Sequence, residues 1–83
     1  MPIAYVLINC DLDHKGEVMM EIRQLPGILE SAELYAAYDI LVKLDLGTVE
    51  ELKETIKEHI KKMPDVRSTV MLIAIEGADG ESQ

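Results

Sequence analysis

Two proline-bearing stops govern what this chain can fold into. Leu25-Pro26-Gly27-Ile28 and Met63-Pro64-Asp65-Val66 each run from a helix end, through proline and a turn residue, to the start of a strand. Proline lacks the amide a helix needs and clashes with the preceding turn, so neither helix continues past it. Ahead of each stop the apolar residues keep a helical period. Val18, Ile22 and Leu25 fall at i, i+4 and i+7 with Met19 beside them, which predicts a helix over residues 15–25 with Asp13 as its cap. Val49, Leu52, Ile56, Ile60 and Met63 trace a second stripe over residues 49–63. Thr48 with Glu51 three positions on forms a capping box at its start, and Glu58 and Lys62 pair across one turn of its wet side.

The remaining stretches read as strands. Residues 3–10 (IAYVLINC) are too short for a typical helix and rich in strand formers. Residues 28–36 alternate, with Ile28, Ala32, Leu34 and Ala36 on one side. Residues 39–46 place Ile40, Val42, Leu44 and Leu46 on one face, and residues 66–75 complete the set. The order is β-α-β-β-α-β. Two β-α-β halves joined in the middle give the α+β, ferredoxin-like plan, an antiparallel sheet with both helices on one face. Residues 1–76 form this domain, and residues 77–83 (GADGESQ) are expected to be a disordered polar tail.

Two helices cover one face of a four-stranded sheet. A sheet with its other face in water alternates apolar and polar residues. These strands do not. In the first, Ile3, Tyr5 and Leu7 oppose Ala4, Val6, Ile8 and Cys10. In the last, Val66, Val70, Leu72 and Ala74 oppose Met71, Ile73 and Ile75. Left open, such a patch is an aggregation liability, so a second subunit's sheet is expected to pack against it. The competing reading shifts a strand by one residue and leaves a mildly apolar, solvated face. A chain of 83 residues has a marginal core. Its single Cys10 rules out an intrachain disulfide, and no CxxC spacing offers zinc, so self-association is the remaining support.

Sixteen acidic residues against eight basic ones give a net charge of −8. Non-specific nucleic-acid binding depends on Lys/Arg neutralising phosphates, and the densest basic spot here is Lys61-Lys62 at a helix end. Direct nucleic-acid binding is therefore not expected. No apolar run approaches the roughly 20 residues of a membrane span. Met1-Pro2-Ile3 lacks the cationic start of a signal peptide, so the expected setting is cytoplasmic.

Three stretches, Leu25-Pro26-Gly27-Ile28, then Tyr35 through Val42 (YAAYDILV), then Met63 through Thr69 (MPDVRST), together resemble the effector-binding (RAM) domain of the Lrp/AsnC feast/famine transcription regulators. The resemblance runs from about Ala4 to Ile75. It implies a dimeric α/β barrel whose two sheets face each other. It implies the stand-alone form of the domain, without a helix-turn-helix. Family members read Gly-x-Tyr-Asp at the turn between the middle strands. Tyr38-Asp39 matches its second half, while Ala36 stands at the glycine position. On the last strand Met71 occupies a hydroxyl position and Thr69 keeps the earlier one. By this resemblance the ligand-binding residues are Ala36, Ala37, Tyr38, Asp39, Thr69 and Met71, around a small amino acid at a subunit boundary. The implied partners are a second copy or a ring of dimers, and full-length regulators of the same family.

Each candidate also has a plainer reading. An Asp carboxylate receives an ammonium, and it equally often bonds turn backbone. Alternation puts Ser68 and Thr69 on opposite faces. Cys10, His14, Met19 and Met20 offer soft-metal ligand types, but their spacing fits no standard motif, and methionines on an amphipathic helix are usually core filler. No metal or cofactor is expected. Cys10 and His14 lack an orienting group for nucleophilic catalysis. The chain is read as a regulatory ligand-binding module and not an enzyme. Small dimeric α+β barrels also host monooxygenases and isomerases, and a purely structural assembly module is the third reading.

Overall fold

The structure is a computed structural model and describes residues 2–75. The polar tail expected at residues 77–83 lies outside them. Strand β1 (Pro2–Cys10) leads through a 3-10 turn (Leu12–His14) into helix α1 (Lys15–Arg23). Strands β2 (Ile28–Glu33) and β3 (Ile40–Leu44) follow. Helix α2 (Val49–Thr55) continues as a π turn (Ile56–Ile60), and β4 (Val66–Ile75) closes the fold. The strands form one antiparallel sheet in the order β2-β3-β1-β4, the ferredoxin-like arrangement.

The core lies between the sheet and the helices. Ala4, Val6 and Ile8 of β1 and Ile40, Val42 and Leu44 of β3 are fully buried there against Val18, Met19, Ile22, Leu52, Ile56 and Ile60. Both predicted helical stripes therefore face inward. In the second stripe Leu52, Ile56 and Ile60 recur every four residues, more than a 3.6-residue turn holds. The π turn resolves this, with the Lys61 amide donating to the Ile56 carbonyl at 2.9 Å. At the other end of α2 the Thr48 hydroxyl accepts from the Glu51 amide at 3.1 Å, as the capping box requires. Glu58 and Lys62 pair at 2.8 Å.

Several boundaries differ from the sequence pattern. The Leu34 amide donates to the Asp39 carbonyl at 2.8 Å, which closes the middle turn early, so β2 ends at Glu33 and β3 starts at Ile40. A bulge between Ile28 and Glu30 sends Ile28 to the helix side and Ala32 to the other face, so these two do not share a side. A second irregularity, between Asn9 and Cys10, pairs Cys10 with Val66 and packs Val66 against the core, away from Val70 and Leu72. Asp13 does not cap α1. Its amide instead donates to the Asp11 carboxylate at 3.0 Å, and Asp11 caps the 3-10 turn.

Gly27 follows the first proline stop with φ +82, a conformation L side chains rarely adopt. A Cβ there would lie 2.7 Å from the Asp45 carbonyl oxygen, while the Gly27 carbonyl accepts from the Asp45 amide at 2.9 Å. The turn between α1 and β2 is thus welded to the end of β3.

Candidate functional site

The β-ladder fixes which residues share the open face of the sheet. Leu41, Leu7 and Val70 form one row across β3, β1 and β4, and Lys43, Tyr5 and Leu72 form the next. Leu72 is 54% exposed, and among the described residues the helices pack against the opposite face. Lys43 lies over the Tyr5 ring, 5.8 Å from its centroid. The patch is apolar at its centre, with Asn9 and Ser68 hydrogen-bonded at one end. Ile73 and Ile75 share the parity of Met71 and belong to the helix side. Leu7, Val70 and Leu72 lie on the opposite, open face.

The six candidate ligand residues fall into two groups. Ala36 and Ala37 sit exposed at the tip of the β2–β3 turn, and Tyr38 is half-buried beside them with no hydrogen-bond partner among the described residues. Asp39 is tied down at three points. Its amide donates to the Ile8 carbonyl at 2.9 Å, its carbonyl accepts from Leu34, and its carboxylate accepts from the Cys10 amide at 3.0 Å. Thr69 pairs with Ile8 from the far side of β1. Asp39 and Thr69 therefore stand at the same end of the sheet, two strand spacings or about 10 Å apart. Met71 lies opposite Val6 and packs against the core, so the structure does not bring it to the turn within one protomer.

The same end of the sheet holds a cluster that the sequence reading did not assemble. His14 Nδ1 lies 3.6 Å from Asp11 Oδ2 and 3.3 Å from Asp65 Oδ1, and Arg67 reaches Asp11 at 3.7 Å. Nδ1 is shielded from solvent and neither contact has hydrogen-bond geometry. The amide of Asp13, first of all, and the charges of His14 and Arg67 hold the Asp11 carboxyl below its ordinary range. The soft-metal set does not converge, because Cys10 and Met19 are buried in the core while Met20 is 63% exposed. Burial pushes the Cys10 thiol up from its ordinary pKa, and the Asp39 charge adds to the effect. At the base of α2, Leu46, Glu50, Glu51, Glu54 and Thr55 line an acid-rimmed hollow of about 310 Å3. A second hollow of about 330 Å3 runs along Lys61, Val66, Arg67, Ser68 and Thr69. Of the six candidates only Thr69 lines either one.

On the helix side, among the described residues, no helix is long and apolar enough to cross a membrane. What the fold defines is a ferredoxin-like α+β domain with one sheet face covered by helices and the other left partly open among the described residues. The model of the Lrp/AsnC ligand binding domain matches residues 3–80, and the chain belongs to that family, one of transcription regulators. The chain is 30% identical over 74 residues to an uncharacterised helix-turn-helix-type transcriptional regulator of Pyrococcus furiosus, a match covering 86% of this chain and 49% of the relative. It thus spans about half the length of that curated relative. The crystal structure of a hypothetical protein from Pyrococcus horikoshii is 30% identical, covers 100% of both chains and superposes with a TM-score of 0.86. A transcriptional regulator from Neisseria meningitidis, solved as an L-Met complex, shares the fold at 11% identity and a TM-score of 0.81, with 93% of this chain and 51% of that one covered.

Proposed function

We propose that this domain binds a small amino acid at a subunit boundary and works as a homo-oligomer, built on a dimer that buries the open sheet face. The observation that carries the oligomer is the Leu41–Leu7–Val70 row, apolar and left partly open by the described residues. Fully burying a Val or Leu side chain is worth about 1.5–3 kcal/mol, and a second sheet supplies that burial. The ligand reading is supported by membership of a ligand-binding family and by the L-Met bound to the Neisseria regulator of the same fold.

Within the site, the groups free to act are the Tyr38 hydroxyl, the exposed turn backbone at Ala36 and Ala37, and the Thr69 hydroxyl. A zwitterion needs donors for its carboxylate and an acceptor for its ammonium. Tyr38 and Thr69 offer the first, and the exposed turn carbonyls at Ala36 and Ala37 offer the second. Because about 10 Å separates the turn that Asp39 holds from Thr69 in one protomer, a small ligand meets both only where two subunits adjoin. Ala36 adds a methyl where a glycine would let backbone approach closely, which favours a ligand with an apolar side chain.

Regulation then passes through protein partners. With a charge of −8 the domain repels a phosphate backbone, and co-assembly with full-length family regulators carries the signal to DNA. Calorimetry and thermal shift across the standard amino acids test the ligand reading. Saturable binding of one or a few small apolar amino acids, with micromolar to millimolar affinity, is expected. Silence across the panel, with the oligomer intact, leaves a purely structural assembly module in its place. The core position of Met71 and the pinned carboxylate of Asp39 are the observations that favour this second reading.

A further inference from the structure

We infer that Asp39 is a positioning residue, whose carboxylate clamps the β2–β3 turn to the end of β1 and acts on a ligand only through the turn it holds. The inference rests on the reading of that turn as part of the ligand site, and it assigns one residue's part in it.

The turn at residues 34–39 has no glycine and no residue with positive φ, since Gly27 and Gly47 are the positive-φ positions among the described residues. Nothing in its own conformational preferences fixes it. Lys15 holds its first residues, with Nζ donating to the Leu34 carbonyl at 3.4 Å and lying 4.9 Å from the Tyr35 ring centroid, and Asp39 holds its last. Its backbone amide and carbonyl reach Ile8 and Leu34, at 2.9 and 2.8 Å. Its Oδ2 takes the Cys10 amide at 3.0 Å, at the point where the β1–β4 register shifts. Cys10 is 4% exposed, so this amide has no ready access to water in place of the carboxylate. A hydrogen bond to a charged acceptor is stronger than one to a neutral acceptor, which suits a clamp at an irregular strand end. The carboxylate is thereby oriented by the fold before any ligand arrives. Tyr38, next in the chain, takes its position from this anchor.

The test uses Asp39→Ala and Asp39→Asn in the whole chain. Asn keeps an oxygen that accepts the Cys10 amide but removes the charge. Hydrogen exchange at the Cys10 amide and maleimide labelling of the Cys10 thiol are read first, without ligand. The expected result is exchange at least tenfold faster and faster labelling in Asp39→Ala, with Asp39→Asn restoring most of the protection. Failure of Asp39→Ala to fold while Asp39→Asn folds normally supports the clamp equally. Unchanged Cys10 exchange in Asp39→Ala overturns it. Calorimetry with whichever amino acid the wild type binds is read second. Affinity in Asp39→Asn within a few fold of wild type is expected. Wild-type Cys10 protection with binding abolished in Asp39→Asn overturns the inference, because the charge would then be meeting the ligand's ammonium directly. If the wild type binds no amino acid, the ligand reading fails by itself, and the exchange comparison still decides whether Asp39 holds the turn.

Discussion

On the helix side of the sheet, Val6, Ile8, Ile40 and Val42 are sealed from solvent, while one residue along on the same strands Tyr5, Leu7 and Leu41 remain partly open. Both sets are apolar, both hang from the same backbone, and both occupy the two central strands. What differs is cover. Each helix lays a stripe of apolar residues on one face, and none of the described elements does so for the other. Side-chain chemistry alone therefore does not decide burial here. An apolar residue on a sheet is a demand for a neighbour, and on one face the chain meets that demand internally.

The comparison breaks most sharply at adjacent positions on β1. Ile8→Ala on the sealed face should cost about 2–5 kcal/mol, through lost burial and an unfilled cavity, at every protein concentration. Denaturant unfolding followed by circular dichroism measures this. Leu7→Glu on the open face should act differently. Its charge points to water in the single chain and into the partner in the dimer, where an unpaired charge is costly. The expected outcome is a folded monomer with a wild-type far-ultraviolet spectrum, read by light scattering. Loss of fold at any concentration would mean that the open face belongs to the chain's own core. Thr48→Ala removes the α2 cap, which holds the Glu51 amide, and should cost about 1 kcal/mol in the same denaturant assay.

The smallest effect is on pH. The Asp11 carboxyl is held below its ordinary range in the folded state, chiefly by the Asp13 amide. Its contribution to stability is present above the ordinary carboxylate range and is lost as pH falls through the lower folded value. Acid titration of the thermal midpoint should therefore show a steeper decline in wild type than in Asp11→Asn below that range. Coincident curves would remove Asp11 from the acid response.

The helical stripes were readable because a 3.6-residue period leaves a strong mark on ten or more residues, and Val18, Ile22, Leu52, Ile56 and Ile60 carried it. The two-faced character of β1 was readable for the same reason at period two. Bulges are not readable in this way, since one extra residue erases the parity by which a face is assigned. That is why Ile28 and Val66 fell on unexpected sides. The Asp11–His14–Asp65 cluster needs the β1–β4 pairing, although Asp11 and His14 at i, i+3 gave a local hint. Of the candidate turn, the pattern marked only the break at Ala37-Tyr38, and the structure widens it to residues 34–39, taking Ala36 out of β2 and Asp39 out of β3. The engagement of Asp39 by a backbone amide on another strand has no local signature at all.

The central claim is that the open sheet face is an interface between copies of this chain, and its most direct test is molar mass in solution. Sedimentation equilibrium at micromolar concentration should give twice the 9.3 kDa chain mass or a higher even multiple. Leu7→Glu should bring it down to one chain under the same conditions. A wild-type chain that stays at 9.3 kDa across the micromolar range would contradict the account.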